Sequence, residues 1–228
     1  MQENSEEKEV TREEIKKEFQ LERMILFSDA VFAIVITLMA IEIRLPHTDK
    51  GYQKDELAHA LIHLLPIILA YCVSFIFIGA IWYQHLKIFS LLKDYDKGLV
   101  IRNLLLLFFV GLFPFSASII TSAKGADIAF IIYMGVILSC ITSQYILYHY
   151  IVVKRPALRL NTDMEVHLYE LKKRKYALLG FSTAAALTII TNLIITDPAI
   201  RPLSTLWIAL FPLMYKLKFK NQKKVKPS

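Results

Sequence analysis

Residues 23–46 read RMILFSDAVFAIVITLMAIEIRLP, and between Arg23 and Glu42 the one charged side chain is Asp29. At about 1.5 Å rise per residue, the apolar stretch 24–43 is long enough as a helix to cross a hydrocarbon core of roughly 30 Å. An aspartate inside such a helix costs on the order of 2.5–3.5 kcal/mol on insertion scales, so it faces protein or water and finds a partner. The stretch therefore predicts a membrane helix with one face committed to polar contacts, which is more than an anchor requires.

Working outward, four further apolar runs reach spanning length, at 57–83, 99–120, 128–153 and 176–195, and a shorter sixth lies at 203–217. Charge placement tests the sixth. With six spans, the N-terminal segment, the second and fourth connections and the C-terminal tail share one side and carry 22 lysines and arginines against 5 on the other. The positive-inside rule then places both termini in the cytoplasm, whereas five spans would put the six lysines of 216–226 outside. The expected fold is an all-α integral membrane protein of six transmembrane helices. Its parts are a charged cytoplasmic segment at 1–22, a helical membrane domain at 23–217 and a basic cytoplasmic tail at 218–228. Residues 3–22 alternate acidic and basic side chains at helical spacing and read as a solvated helix leading into the bilayer.

Composition agrees, with 55% hydrophobic residues in 228 and a mean hydropathy of +0.45, too apolar for an ordinary soluble domain. The net charge of +7 resides in segments between apolar runs, a bilayer pattern that argues against nucleic acid as a partner. Cys72 and Cys140 both lie inside apolar runs and read as packing thiols rather than a disulfide. The first 22 residues lack the apolar core of a signal peptide, so insertion is expected to start from the first span.

Polar residues gather at one depth. Arg23 lies about 9 Å along the first helix from Asp29, with Ser28 beside it. Trp82 and His85 close the second run on the cytoplasmic side, and Arg102 and Asn103 open the third from that side. A buried hydrogen-bonded network joining these helices is the expectation. At about 100° per residue, Ile34, Thr37, Leu38 and Ile41 share one stripe with Phe27, and Asp29 lies about 140° away. By spacing alone the stripe reads as packing or lipid contact.

The run Arg23-Met24-Ile25-Leu26-Phe27-Ser28-Asp29 resembles the R-x-x-x-F-S-D signature of the transmembrane protein 175 family of potassium channels. Trp82, His85 and Phe89 resemble that family's W-x-x-H-x-x-x-F pattern, and Asn103 and the Leu112-Phe113-Pro114-Phe115 turn also fit. The resemblance covers the first half of the chain; later helices match in number and length. It implies a prokaryotic member with one six-helix unit per chain, four chains surrounding a central pore lined by the first helix, in the cell membrane. It further implies K+ as the permeant ion, a constriction at Ile34 with Leu38 and Ile41 as further rings, and a hydroxyl ring at Thr37. Arg23, Phe27, Ser28, Asp29, Trp82, His85 and Asn103 would form a structural and gating network. No enzyme activity and no cofactor are expected.

Other classes fit less well. No T-V-G-Y-G filter loop exists among the seven glycines, and no helix carries arginines at every third position. A secondary transporter would need paired repeats and a charged midplane site; that class and a proton-permeable cation channel stand as the alternatives. His59 and His63 stand at i, i+4 without the carboxylate of a zinc-protease motif, and read as outer-interface residues.

Overall fold

The computed structural model describes residues 3–41, 43–45, 53–122, 127–160 and 163–195. The sixth run, at 203–217, and the basic tail lie outside the described residues. The first helix, α1 (Glu3–Ile41), is continuous from the charged N-terminal segment through the membrane stretch. Its buried face follows helical spacing: Leu21, Ser28, Phe32, Val35 and Met39 all point inward.

The second helix, α2 (Lys54–Phe89), has Asp55 and Glu56 in its first turn and Lys87 in its last, both complementing the helix dipole. The Glu56 carboxylate accepts the Gln53 amide at 3.1 Å and closes the helix start. Pro66 sits inside α2 without ending it.

The third apolar run, expected as one span over 99–120 with a turn at 112–115, is divided at that turn. It forms α3 (Lys97–Gly111) and α4 (Phe113–Ser122). Pro114 causes the break, since it has no N–H for the carbonyl one turn back and its ring crowds that carbonyl. The Leu112 amide instead turns to Phe109 O at 3.2 Å. The joint is anchored: the Phe113 ring is fully buried, stacked on Phe77 with centroids 5.3 Å apart and edge-on to Tyr133 at 5.5 Å.

The helix α5 (Asp127–His149) continues into a π-helical turn at Tyr150–Lys154 and a short 3-10 turn at Pro156–Leu158. It packs against α3, α4 and α6 (Met164–Ile194), and α1 packs against α2, α3 and α4. Two backbone hydrogen bonds, Lys93 N–H to Leu158 O at 2.9 Å and Leu160 N–H to Leu91 O at 2.8 Å, tie the α2–α3 connection to the segment before α6. Five spans among the described residues are long and apolar enough to cross a bilayer, and α3 with α4 makes one of them.

The start of α3 is fixed by one carboxylate. Asp96 accepts the Leu99 amide at 2.7 Å as N-cap and the Tyr150 phenol at 2.7 Å, and pairs with Arg155 at 3.5 Å. Burial pushes the Asp96 pKa up, but the Tyr150 and Leu99 hydrogen bonds and the charges of Arg155 and Arg102 outweigh it, leaving it below the ordinary 3.8. Tyr150 approaches the backbone so closely that a Cβ at Gly98 would collide with its phenol, which is why this position has no side chain.

Candidate functional site

Where α1, α2 and α3 meet, at the C-terminal end of α2, the polar side chains form two hydrogen-bonded sets. In the first, Asn103 Nδ2 donates to Ser28 Oγ at 2.9 Å, and Ser28 Oγ donates to Met24 O at 2.8 Å. The Asn103 carbonyl lies 2.9 Å from His85 Nε2. Since the Asn103 amide donates to Ser28, its oxygen accepts, and His85 carries its proton on Nε2. All three side chains are fully buried. The His85 ring stacks on Phe89, with centroids 4.1 Å apart, and is tilted against Phe32 at 5.5 Å. Asn103 is thus the bridge that fastens α1 to α2 through α3.

In the second set, Trp82 Nε1 donates to Asp29 Oδ1 at 2.9 Å. The aspartate is half-buried and Trp82 is more exposed, so this pair closes the rim of the cluster. Among the residues expected in the network, Ser28, Asp29, Trp82, His85 and Asn103 are thereby brought together in pairs or threes.

Arg23 is not brought into either set. It is exposed, and its guanidinium lies 5.9 Å from the Phe19 ring centroid. Arg102 also points elsewhere: it donates to Gly98 O at 2.8 Å and lies over the Tyr150 ring at 3.9 Å. Both are long side chains whose reach admits several partners, so matching depth did not fix their contacts.

The stripe on α1 behaves differently from the face that carries Ser28. Phe27, Ile34, Leu38 and Ile41 retain 53, 55, 45 and 52% of their accessible surface, while Phe32, Val35 and Met39 on the other face are buried. Thr37 is exposed on the same stripe. Its hydroxyl donates to its own helix, with Ile34 O at 2.9 Å and Ala33 O at 3.1 Å. With the proton so engaged, the oxygen lone pairs are left to accept, or to face a cation.

Other buried polar contacts were not read from the sequence. Gln144 donates to Ile81 O at 2.8 Å, and the Ser74 and Tyr133 hydroxyls meet at 2.7 Å. An amide or hydroxyl isolated in an apolar run is the signal for such contacts, although it does not name the partner. His59 is exposed, and the His63 side chain lies outside those described. Among the described residues no three metal-ligating side chains converge.

This architecture defines a class: a polytopic helical membrane protein whose first helix is fastened on one face by buried polar contacts and carries an uncovered apolar stripe on another. The class can be narrowed by comparison with known proteins. Residues 23–114 match the family described as endosomal/lysosomal potassium channel TMEM175. A protein named potassium channel from Streptomyces collinus is 37% identical over 105 residues, covering 46% of this chain and 50% of that one. Another so named, from Chamaesiphon minutus, is 36% identical over 120 residues, covering 51% and 59%. The crystal structure of a lysosomal potassium-selective channel TMEM175 homolog from Chamaesiphon minutus superposes with a TM-score of 0.67 at 27% identity, covering 86% of this chain and 98% of that one. Over its first half the chain is thus similar to the TMEM175 family, and its fold is similar to that of a solved member. The sequence alignments span about half the length of the curated relatives.

Proposed function

We propose that the chain is the subunit of a potassium-selective channel, assembled as a homotetramer around a pore lined by α1. The observation that carries this reading is the division of α1 by face. Its Ser28 side is sealed against α2, α3 and α4, while Ile34, Thr37, Leu38 and Ile41 are left uncovered along the helix. In a four-fold assembly these residues stack as rings. Ile34 is the constriction, Leu38 and Ile41 are further apolar rings, and Thr37 supplies a ring of acceptor oxygens one turn from Ile34. The relatives named potassium channels support K+ as the permeant ion.

The mechanism follows from the side chains. Four isoleucines around an axis make a narrow apolar throat that closes by steric contact and dewetting. A larger, less tightly hydrated ion sheds or deforms its water shell more cheaply in such a throat, and Thr37 compensates with oxygen lone pairs beside it. Rotation of α1 widens the throat and must strain or rearrange the contacts of Ser28 and Asp29, so the cluster biases gating. The 203–217 segment completes six spans, both termini face the cytoplasm, and the membrane is the prokaryotic cell membrane. No cofactor or catalytic group is called for.

The test is passive flux from proteoliposomes. A K+ gradient should dissipate in either direction at channel rates, with Na+ slower. Flux that requires a coupled counter-ion gradient would instead assign the protein to the transporters.

A further inference from the structure

A second polar site lies in a cleft between α2, α5 and α6 with a volume of about 190 Å³, room for several water-sized groups. The geometry points to this cleft as a binding site for the phosphate of an anionic phospholipid headgroup. It rests on the proposed orientation only in naming the leaflet, the cytoplasmic one.

The sequence on α6 supplies the charge. Lys172, Lys173, Arg174 and Lys175 immediately precede the apolar run that begins at Tyr176, the position at which a basic cluster meets lipid headgroups. The helix sorts these four cations by face: Lys172 and Lys175 are exposed, whereas Lys173 and Arg174 are half-buried and line the cleft. Arg174 is held in place there. Its Nη2 donates to Gln84 Oε1 on α2 at 2.7 Å, and its guanidinium lies over the Tyr148 ring at 4.5 Å. A guanidinium fixed in this way meets a phosphate with little further ordering. Lys173 Nζ donates to Glu170 Oε1 at 2.8 Å, so the three ionised groups leave one net positive charge in the cleft.

The walls change character in the order a phospholipid requires. Ile141 and Ala177 lie deeper along α5 and α6 than the charged residues and also line the cleft. A phosphate between Lys173 and Arg174 would therefore place its acyl chains along apolar wall. A lipid seated there would brace α6 against α2 at Gln84, between Trp82 and His85 in the chain.

The experiment uses the full chain in detergent and measures binding of dioleoyl phosphatidylglycerol, dioleoyl phosphatidylcholine and soluble glycerol phosphate by native mass spectrometry. Phosphatidylglycerol should bind in preference to both. Lys173→Gln should weaken it roughly fivefold, the worth of one lysine at a membrane surface. Glu170→Gln should tighten it, since the competing carboxylate is gone. Lys172→Gln, with the same charge change on the exposed face, should leave it unaltered. Equal weakening by Lys172→Gln and Lys173→Gln would mean diffuse attraction and overturn the site. Equal binding of phosphatidylcholine would remove the anion requirement, and glycerol phosphate binding as tightly as the lipid would make the ligand a free phosphate. Binding in detergent is independent of ion flux, so failure here and failure of the channel reading are separate results.

Discussion

Replacing Asn103 by leucine tests how α1 is fastened. The side chain is buried and supplies the contacts to Ser28 at 2.9 Å and to His85 at 2.9 Å. Ser28 keeps its bond to Met24 O. The His85 Nε2–H does not recover a partner, because its ring is enclosed by Phe32 and Phe89. One buried donor left unmet costs about 1–3 kcal/mol, and loss of the Ser28 bond adds about 0.5–1 kcal/mol. Asn103→Leu should therefore destabilise the folded chain by about 2 kcal/mol, roughly a thirtyfold change in the folding equilibrium.

The double variant Asn103→Leu with His85→Phe removes both polar partners and sets an apolar ring between Phe32 and Phe89. It should recover at least half of the loss, since matched apolar replacement of a hydrogen-bonded pair is close to neutral. The assay is equilibrium denaturation of the purified protein in mixed detergent micelles, read for wild type, both single variants and the double. If Asn103→Leu costs less than about 0.5 kcal/mol, or the double loses the sum of the singles, the two residues are not coupled as the geometry requires.

Four other outcomes rest on these contacts and on the proposed pore. Trp82→Phe removes the indole donor to Asp29 and should destabilise by about 1 kcal/mol, while Asp29→Ala should alter assembly or opening without changing the K+ to Na+ ratio. A changed ratio would put Asp29 in the ion path. Gly98→Ala should cost about 1–3 kcal/mol by driving the Tyr150 phenol away, and Tyr150→Phe in the same chain should relieve part of that in thermal unfolding. Asp96 has a folded pKa below 3.8, so its contribution is full above the unfolded value and is lost as pH falls through the folded one. Acid titration of unfolding should show a loss beginning below about pH 4 that is smaller in Tyr150→Phe.

The long spans were legible because an apolar run of about 20 residues has few alternatives. The interruption at Leu112 was marked by the family-like turn at 112–115 and not by hydropathy. Hydropathy is continuous through 99–120, and a proline within a membrane run ends a helix in some settings and is absorbed in others, as Pro66 is within α2. For the cluster, shared depth brought Ser28, Asp29, Trp82, His85 and Asn103 into one set. It could not pair them, nor show that Arg23 sits over Phe19 and Arg102 over Tyr150. The stripe was legible as a face but not as a pore, because lipid and a dewetted throat both meet aliphatic side chains. Its surface is uncovered by the described residues, and the family resemblance motivates the pore.

The most direct measurement is the reversal potential of reconstituted protein between K+ and Na+ solutions, with wild type and Ile34→Asn compared. Wild type should follow the K+ gradient, and the asparagine ring, which wets the throat, should move the reversal potential toward zero and raise the open fraction. A selective wild type whose reversal potential and open fraction are both unchanged by Ile34→Asn would contradict the assignment of this face of α1 to the ion path.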